Sequence, residues 1–321
     1  MKNDIVNSVS VVGHGAYRYK VNKHWGNLDS NKFPVHHCHE MVQTGDGRLF
    51  MLNTAPKNNI LIYSTKGTLL GTWTLGRTGV HGLTISTEGE KEYLWITDTE
   101  AHQVIKTDLE GNSCMILEYP DMIADYTEAS LWKPTETAIA PNGDIYVADG
   151  YGLNYVVQYD REGQYIRHFG GSGKEDHHLD CCHGVAIDTR EGKTAELLVT
   201  SRSEQAFKRF TLKGNYLGTV KLPGCWVCRP VIKGDLLYFA VIVTKDWFTY
   251  DGAVAILDLQ NKVVSMPGAN APVYKAGELE APESDYRTFL NPHDVCVDDD
   301  GNLYIPQWLS GKTYPVKLER I

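Results

Sequence analysis

The chain has 321 residues, with 31 Lys+Arg against 40 Asp+Glu for a formal charge of −9, and 42% hydrophobic and 22% charged residues. That is ordinary globular composition and argues against disorder. The acid excess argues against a nucleic-acid or anionic-membrane partner, whose phosphates call for clustered Lys and Arg.

No apolar stretch approaches the roughly 20 residues that span a bilayer. The opening Met1-Lys2-Asn3-Asp4 is polar and lacks the apolar core of a secretory signal, so the cytoplasm is the expected compartment. The seven cysteines are an odd number in a large chain, which speaks against a disulfide framework. Cys225-Trp-Val-Cys228 has no second pair at zinc-finger spacing. It reads as buried apolar residues ahead of a redox or metal site.

In chain order, the first strand-like run is Tyr17-Arg-Tyr-Lys-Val-Asn-Lys-His-Trp-Gly26. A motif then recurs, in which a turn residue precedes an apolar or aromatic run. It reads Gly47-Arg-Leu-Phe-Met-Leu, Glu92-Tyr-Leu-Trp-Ile-Thr-Asp and Gly143-Asp-Ile-Tyr-Val-Ala-Asp. It returns as Glu196-Leu-Leu-Val-Thr-Ser, Gly234-Asp-Leu-Leu-Tyr-Phe-Ala and Gly301-Asn-Leu-Tyr-Ile-Pro, making six copies. A short strand lies upstream of each, as in His81-Gly-Leu-Thr-Ile. An alternating strand, a turn and a fourth strand lie downstream, as in Tyr155-Val-Val-Gln-Tyr, Asp160-Arg-Glu-Gly163 and Tyr165-Ile-Arg-His-Phe-Gly. No long segment has helical period.

Four strands per repeat and six repeats predict an all-β, six-bladed β-propeller occupying residues 1–321 as one domain. After Gly301 only two strands remain, so Tyr17–Gly26 is expected to complete the last blade and close the ring. Residues 262–291, rich in Pro, Gly and Glu, read as a loop over one face.

The first strand of each blade lines the channel. Aligned on the repeat, the equivalent slot carries His39, His81, Thr135, His183, a residue near Arg229, and His293. His81, His183 and His293 fall in alternate blades, about 120° apart around the axis. Imidazoles at one depth with that spacing suit a divalent transition metal with an open position. His39 is a further ligand or a supporting partner. Asp149-Gly-Tyr151-Gly ends a second strand at the channel mouth, and Ser201-Arg202 shares its register. A tyrosine beside a metal can act as base, and an arginine can hold a carboxylate or oxyanion. His36 and His37 read as rim residues, and His177-His178 as exposed loop.

Several stretches resemble the NHL-type propeller of the peptidyl-α-hydroxyglycine α-amidating lyases. They are Val80-His-Gly-Leu with Trp95-Ile-Thr-Asp-Thr-Glu-Ala-His, Lys133-Pro-Thr-Glu-Thr-Ala with Tyr146-Val-Ala-Asp-Gly-Tyr-Gly-Leu-Asn, Cys182-His-Gly-Val-Ala and Asn291-Pro-His-Asp-Val. The resemblance implies zinc on His81, His183 and His293, catalytic roles for Tyr151 and Arg202, and a structural calcium held by Asp294 and the Leu83 carbonyl. It implies cleavage of a carbinolamide to an amide and glyoxylate. The pattern departs at Gly152, where the family has Cys, and at Asn291, where it has Met. It departs also at the family's N-terminal arginine, for which Arg18 is the nearest counterpart, and at the additional His39-Glu40.

The expected function is a metal-dependent lyase acting on a small hydroxylated or keto substrate, with iron or manganese as alternatives to zinc. Epimerisation, dehydration or hydrolysis of a keto-sugar on the same site is a second reading. A propeller that binds a protein or ligand without catalysis is a third, since the fold hosts both uses.

Overall fold

A computed structural model describes residues 10–192 and 194–321. The polar opening Met1–Asp4 lies outside the described residues.

The chain forms a six-bladed β-propeller of antiparallel sheets. Blade 1 runs Cys38–Gln43, Leu49–Asn53, Ile60–Tyr63 and Leu69–Trp73. Blade 2 runs Val80–Glu88, Lys91–Asp98, Gln103–Thr107 and Ser113–Leu117. Blade 3 runs Glu136–Ile139, Ile145–Ala148, Tyr155–Tyr159 and Tyr165–Gly170. Blade 4 runs Val185–Asp188, Glu196–Ser201, Ala206–Thr211 and Tyr216–Lys221. Blade 5 runs Val231–Lys233, Leu236–Val241, Ala253–Leu257 and Val263–Ser265. Blade 6 begins with Cys296–Val297, Leu303–Ile305 and Val316–Arg320.

The sequence pattern follows from depth in the blade. Both faces of a second strand pack on neighbouring blades, so Leu49–Asn53 and Ile145–Ala148 are buried at every position. Fourth strands lie at the rim and alternate instead, as in Leu69–Trp73 and Tyr216–Lys221. The core is accordingly divided among the gaps between blades. Phe207 of blade 4 packs with Phe239 of blade 5, and Trp95 of blade 2 with Val147 and Val157 of blade 3.

Ring closure is as expected, with one addition. Tyr17–Asn22 pairs with Val316–Arg320 as the fourth strand of blade 6. Val11–His14 then turns back through Gly15 as a fifth strand. The His14 N–H donates to Ser265 Oγ at 2.9 Å, and Ser265 Oγ donates to the Tyr17 carbonyl at 3.0 Å. The closing hairpin is therefore tied to blade 5 as well. Arg18 sits on this outer hairpin, exposed and remote from the channel, so it is no counterpart of an active-site arginine.

Residues 262–291 are not all loop. They start with the fourth strand of blade 5 and contain a small hairpin, Tyr274–Lys275 with Glu278–Leu279. Among the described residues, no helix is long and apolar enough to cross a membrane.

Candidate metal centre on the propeller axis

His39, His81, His183 and His293 meet at one end of the axis, all buried. Two of them stand on bulges. Blade 1 shifts register between Cys38 and Glu40, and blade 2 between Val80 and Leu83. The extra residue at each place re-aims its histidine out of the ladder. Alignment of the repeats predicts first strands for the other two, but those strands begin only at Val185 and Cys296. His183 and His293 precede them, in extended segments that remain bonded to their blades through Thr200 N–Gly184 O and His293 N–Pro306 O, at 2.8 and 2.9 Å.

The glycine after a histidine has a steric reason. A Cβ on Gly82 would lie 2.4 Å from the Thr135 carbonyl, and one on Gly184 would lie 2.5 Å from Arg229 Cα. Each His-Gly pair thus lets the next blade close on the axis.

The ring centroids of His39 and His81 are 4.7 Å apart, those of His39 and His293 4.6 Å, and those of His183 and His293 5.0 Å. Potential ligand nitrogens of His39, His81 and His293 all lie within 4.8 Å of one another. His183 joins through its Nε2, which is 3.1 Å from His81 Nε2. Four nitrogens at Zn–N distances of about 2.0–2.1 Å in a tetrahedron stand about 3.3 Å apart, so this spacing suits a shared cation. His81, His183 and His293, expected from threefold spacing, do come together, but the set whose potential ligand nitrogens all lie within 4.8 Å of one another is His39, His81 and His293.

The second nitrogens fix two of the rings. His81 Nδ1 donates to the Thr135 carbonyl at 2.9 Å, and His293 Nδ1 to the His39 carbonyl at 3.1 Å. Both rings then offer a lone pair on Nε2 to the axis. His39 Nδ1 and His183 Nδ1 are buried without a hydrogen-bond partner. Burial depresses the affinity of all four rings for a second proton, aided by their mutual proximity at His39, His183 and His293 and by the charge of Arg202. His81 falls to about 3 through burial, partly opposed by its bond to Thr135. Imidazoles held toward the neutral form, with ring nitrogens turned to one another and to the Tyr151 hydroxyl, are what a metal requires. The donor set fits a transition metal.

Tyr151 and Arg202 complete the cluster. The Tyr151 hydroxyl is 3.2 Å from His81 Nε2 and hydrogen-bonds Arg202. The residue as a whole is 43% exposed at the mouth, while the hydroxyl turns inward to His81. Burial pushes that hydroxyl up to about 12, and Arg202 acts in the opposite sense. The Arg202 guanidinium is buried and braced by the Val227 carbonyl at 3.0 Å, with Trp247 5.9 Å over it.

The Asp149-Gly-Tyr-Gly turn is held by its aspartate. Asp149 accepts from Lys133 N at 2.7 Å, Leu153 N at 2.6 Å and the Tyr126 hydroxyl at 2.6 Å. A Cβ on Gly152 would fall 2.2 Å from both Asp149 Oδ1 and the Leu131 carbonyl. A cysteine has no room there, and the buried carboxylate does the tethering.

The two expected calcium ligands do not face an open seat. The Arg229 guanidinium lies between them, donating to the Leu83 carbonyl at 2.7 Å and to both oxygens of Asp294 at 2.8 Å. These residues do not fit a bound calcium.

The remaining expectations are placed plainly. Cys225 is buried in the core between blades 4 and 5, and Cys228 beside Arg202, their thiols pushed up to about 12 by burial. His37 lies at the rim, its ring 5.6 Å from Trp308. His177 and His178 stack on a surface loop with centroids 4.2 Å apart. Two contributions were not legible in the repeat. One is the Thr135 carbonyl that orients His81. The other is Asn291, buried with both amide atoms unpartnered.

Fold and site together define a propeller with an imidazole cluster and a tyrosine–arginine pair at one axial mouth. No family model matches the chain. Among curated proteins it is 33% identical over 96 residues to a probable peptidyl-α-hydroxyglycine α-amidating lyase of Caenorhabditis elegans, covering 30% of this chain and 27% of that protein. It is 28% identical over 243 residues to the peptidylglycine α-amidating monooxygenase of Rattus norvegicus, covering 70% of this chain and 22% of that one. The chain thus spans about a quarter of the length of these curated relatives. The family resemblance seen in the motifs is supported by these relatives. Among solved structures, an inactive virginiamycin B lyase from Staphylococcus aureus with quinupristin superposes with a TM-score of 0.61 at 16% identity, over 94% of this chain and 100% of that one. A streptogramin B lyase gives 0.60 at 14% identity, over 95% and 99%. These likenesses establish the fold.

Proposed function

We propose that the protein is a metal-dependent lyase of the amidating-lyase type, acting on a small hydroxylated or keto compound. The observation that carries this reading is the meeting of four neutral imidazoles, one phenol and one guanidinium at a single axial mouth. The name of the lyase relative supports the same reaction class.

His39, His81 and His293 would hold the metal, with His183 completing the imidazole set, and zinc suits those donors. The bound metal supplies a Lewis acid for a hydroxyl or carbonyl oxygen. A Tyr151 phenolate, favoured by Arg202 and by a bound cation against the effect of burial, would accept the substrate hydroxyl proton as the carbinolamide C–N bond breaks. The electron pair leaves on nitrogen, which takes up that proton to give a neutral amide, and the carbon becomes an aldehyde. The rigid fork of Arg202 holds the substrate carboxylate and sets the carbon against Tyr151.

The test is turnover by zinc-loaded protein on N-acyl α-hydroxyglycines and on a panel of keto-sugars, followed by aldehyde release and by product analysis. Aldehyde release that disappears in Tyr151→Phe supports the reading. Turnover of keto-sugars alone would move the same site to the second reaction class. Turnover that survives both Tyr151→Phe and His183→Ala would contradict the assignment.

A further inference from the structure

Below the histidines the axis carries a second cluster. Arg229 precedes the first strand of blade 5 and reaches across the channel, buried. Its Nη1 lies 2.7 Å from the Leu83 carbonyl, 3.1 Å from Glu40 Oε2 and 3.3 Å from Glu136 Oε2. Its Nη2 donates to the Met41 carbonyl at 3.0 Å and to Asp294 Oδ2 at 2.8 Å, and its Nε to Asp294 Oδ1 at 2.8 Å. Blades 1, 2, 3 and 6 therefore each present oxygen to one guanidinium from blade 5.

The acids are latched to their neighbours too. Glu40 accepts from Leu83 N at 2.6 Å, Asp294 from Met41 N at 3.0 Å, and Glu136 from Thr84 Oγ1 at 2.7 Å. Beyond Arg229 the channel widens into a cavity of about 550 Å³ toward the opposite face.

Three carboxylates and two carbonyls converging on the axis make a donor set for a hard divalent cation. Calcium takes six to eight oxygens at about 2.3–2.6 Å. Here the positive charge is covalent. We propose that Arg229 is the chain's own axial cation, standing in the place of a bound calcium and joining the chain segments that carry His39, His81 and His293. The native protein then has no use for calcium on its axis, and removing the side chain opens a calcium site. This holds whatever reaction the histidine cluster performs.

The experiment compares wild type and Arg229→Ala by thermal unfolding and calcium titration calorimetry, in chelator-treated buffer and with added calcium or magnesium. Wild type is expected to bind no axial calcium and to keep its Tm on calcium addition. Arg229→Ala is expected to lose roughly 10 °C without calcium, to bind about one calcium, and to regain at least half of the loss, with magnesium a poorer substitute. Adding Asp294→Asn to Arg229→Ala should abolish the rescue, which merely structural loss would leave unchanged. One tightly held calcium in wild type would overturn the proposal. So would an Arg229→Ala protein, folded or not, that calcium fails to help.

Discussion

The two levels of the propeller axis are built on the same short chain segments and treat charge in opposite ways. At the upper level His39, His81 and His293 bring potential ligand nitrogens within 4.8 Å of one another. One or two residues further along, Glu40, Leu83 and Asp294 have their oxygens engaged by Arg229. Both levels are buried, so burial alone does not mark a site. What separates them is charge. The lower level sets carboxylates around its own cation, whereas the upper level gathers imidazoles and leaves His39 Nδ1 and His183 Nδ1 without partners, as Glu40 Oε1 is left below. Buried polar groups left incomplete are costly, and a cluster of them at an open mouth is where a ligand belongs.

The sharpest break in this comparison is chemical. Replacing Tyr151 with Phe removes the proton acceptor 3.2 Å from His81 Nε2 and should lower kcat by about 10²–10⁴. The metal content should stay at the wild-type level, because no imidazole is altered. Steady-state kinetics beside metal analysis checks both halves. Arg202→Lys keeps the charge but loses the fork, and kcat/KM for a carboxylate-bearing substrate should fall about tenfold to a hundredfold. An equal loss on an uncharged analogue would remove the clamp from the account.

A backbone substitution probes how the upper level is held. The Cβ of Gly82→Ala would press on the Thr135 carbonyl, the acceptor that orients His81. Overpacking of this kind costs about 1–3 kcal/mol, to be read from denaturant unfolding, with a parallel loss of metal affinity.

Acid gives a smaller, graded effect. In the unfolded chain each histidine titrates near the ordinary 6.5, whereas in the folded chain burial holds His81 down to about 3 and the other three well below their usual value. As pH falls below about 6.5 the unfolded state takes up protons that the native cluster refuses. Stability of the metal-free protein is therefore full above that pH and lost progressively beneath it. Thermal scans of chelated protein from pH 8 to pH 4 should show this decline, and a flat profile would mean that the native rings take up protons as readily as those of the unfolded chain.

The repeat carried most of this architecture in plain view. Apolar second strands and alternating fourth strands are local patterns, and their recurrence fixed the blade number. The convergence of His81, His183 and His293 was also legible, because equal slots in a ring become neighbours. What stayed hidden depends on backbone detail. The bulge that turns His39 inward leaves no mark in its sequence, so it looked peripheral to the set. Arg229 reaches its partners through a long side chain from a segment before the strand, and no spacing rule reports such a reach. The fifth strand of blade 6 is a short run, Val11–His14, whose pairing is supplied only when the ring closes.

The most direct measurement is the metal content of purified protein, wild type beside the His81→Ala/His183→Ala/His293→Ala variant, after metal-supplemented, chelator-free preparation. The account predicts about one equivalent of zinc or a similar transition metal in wild type and none in a folded variant. Wild type without metal, or a variant that keeps it, would make the upper level channel packing and contradict the account.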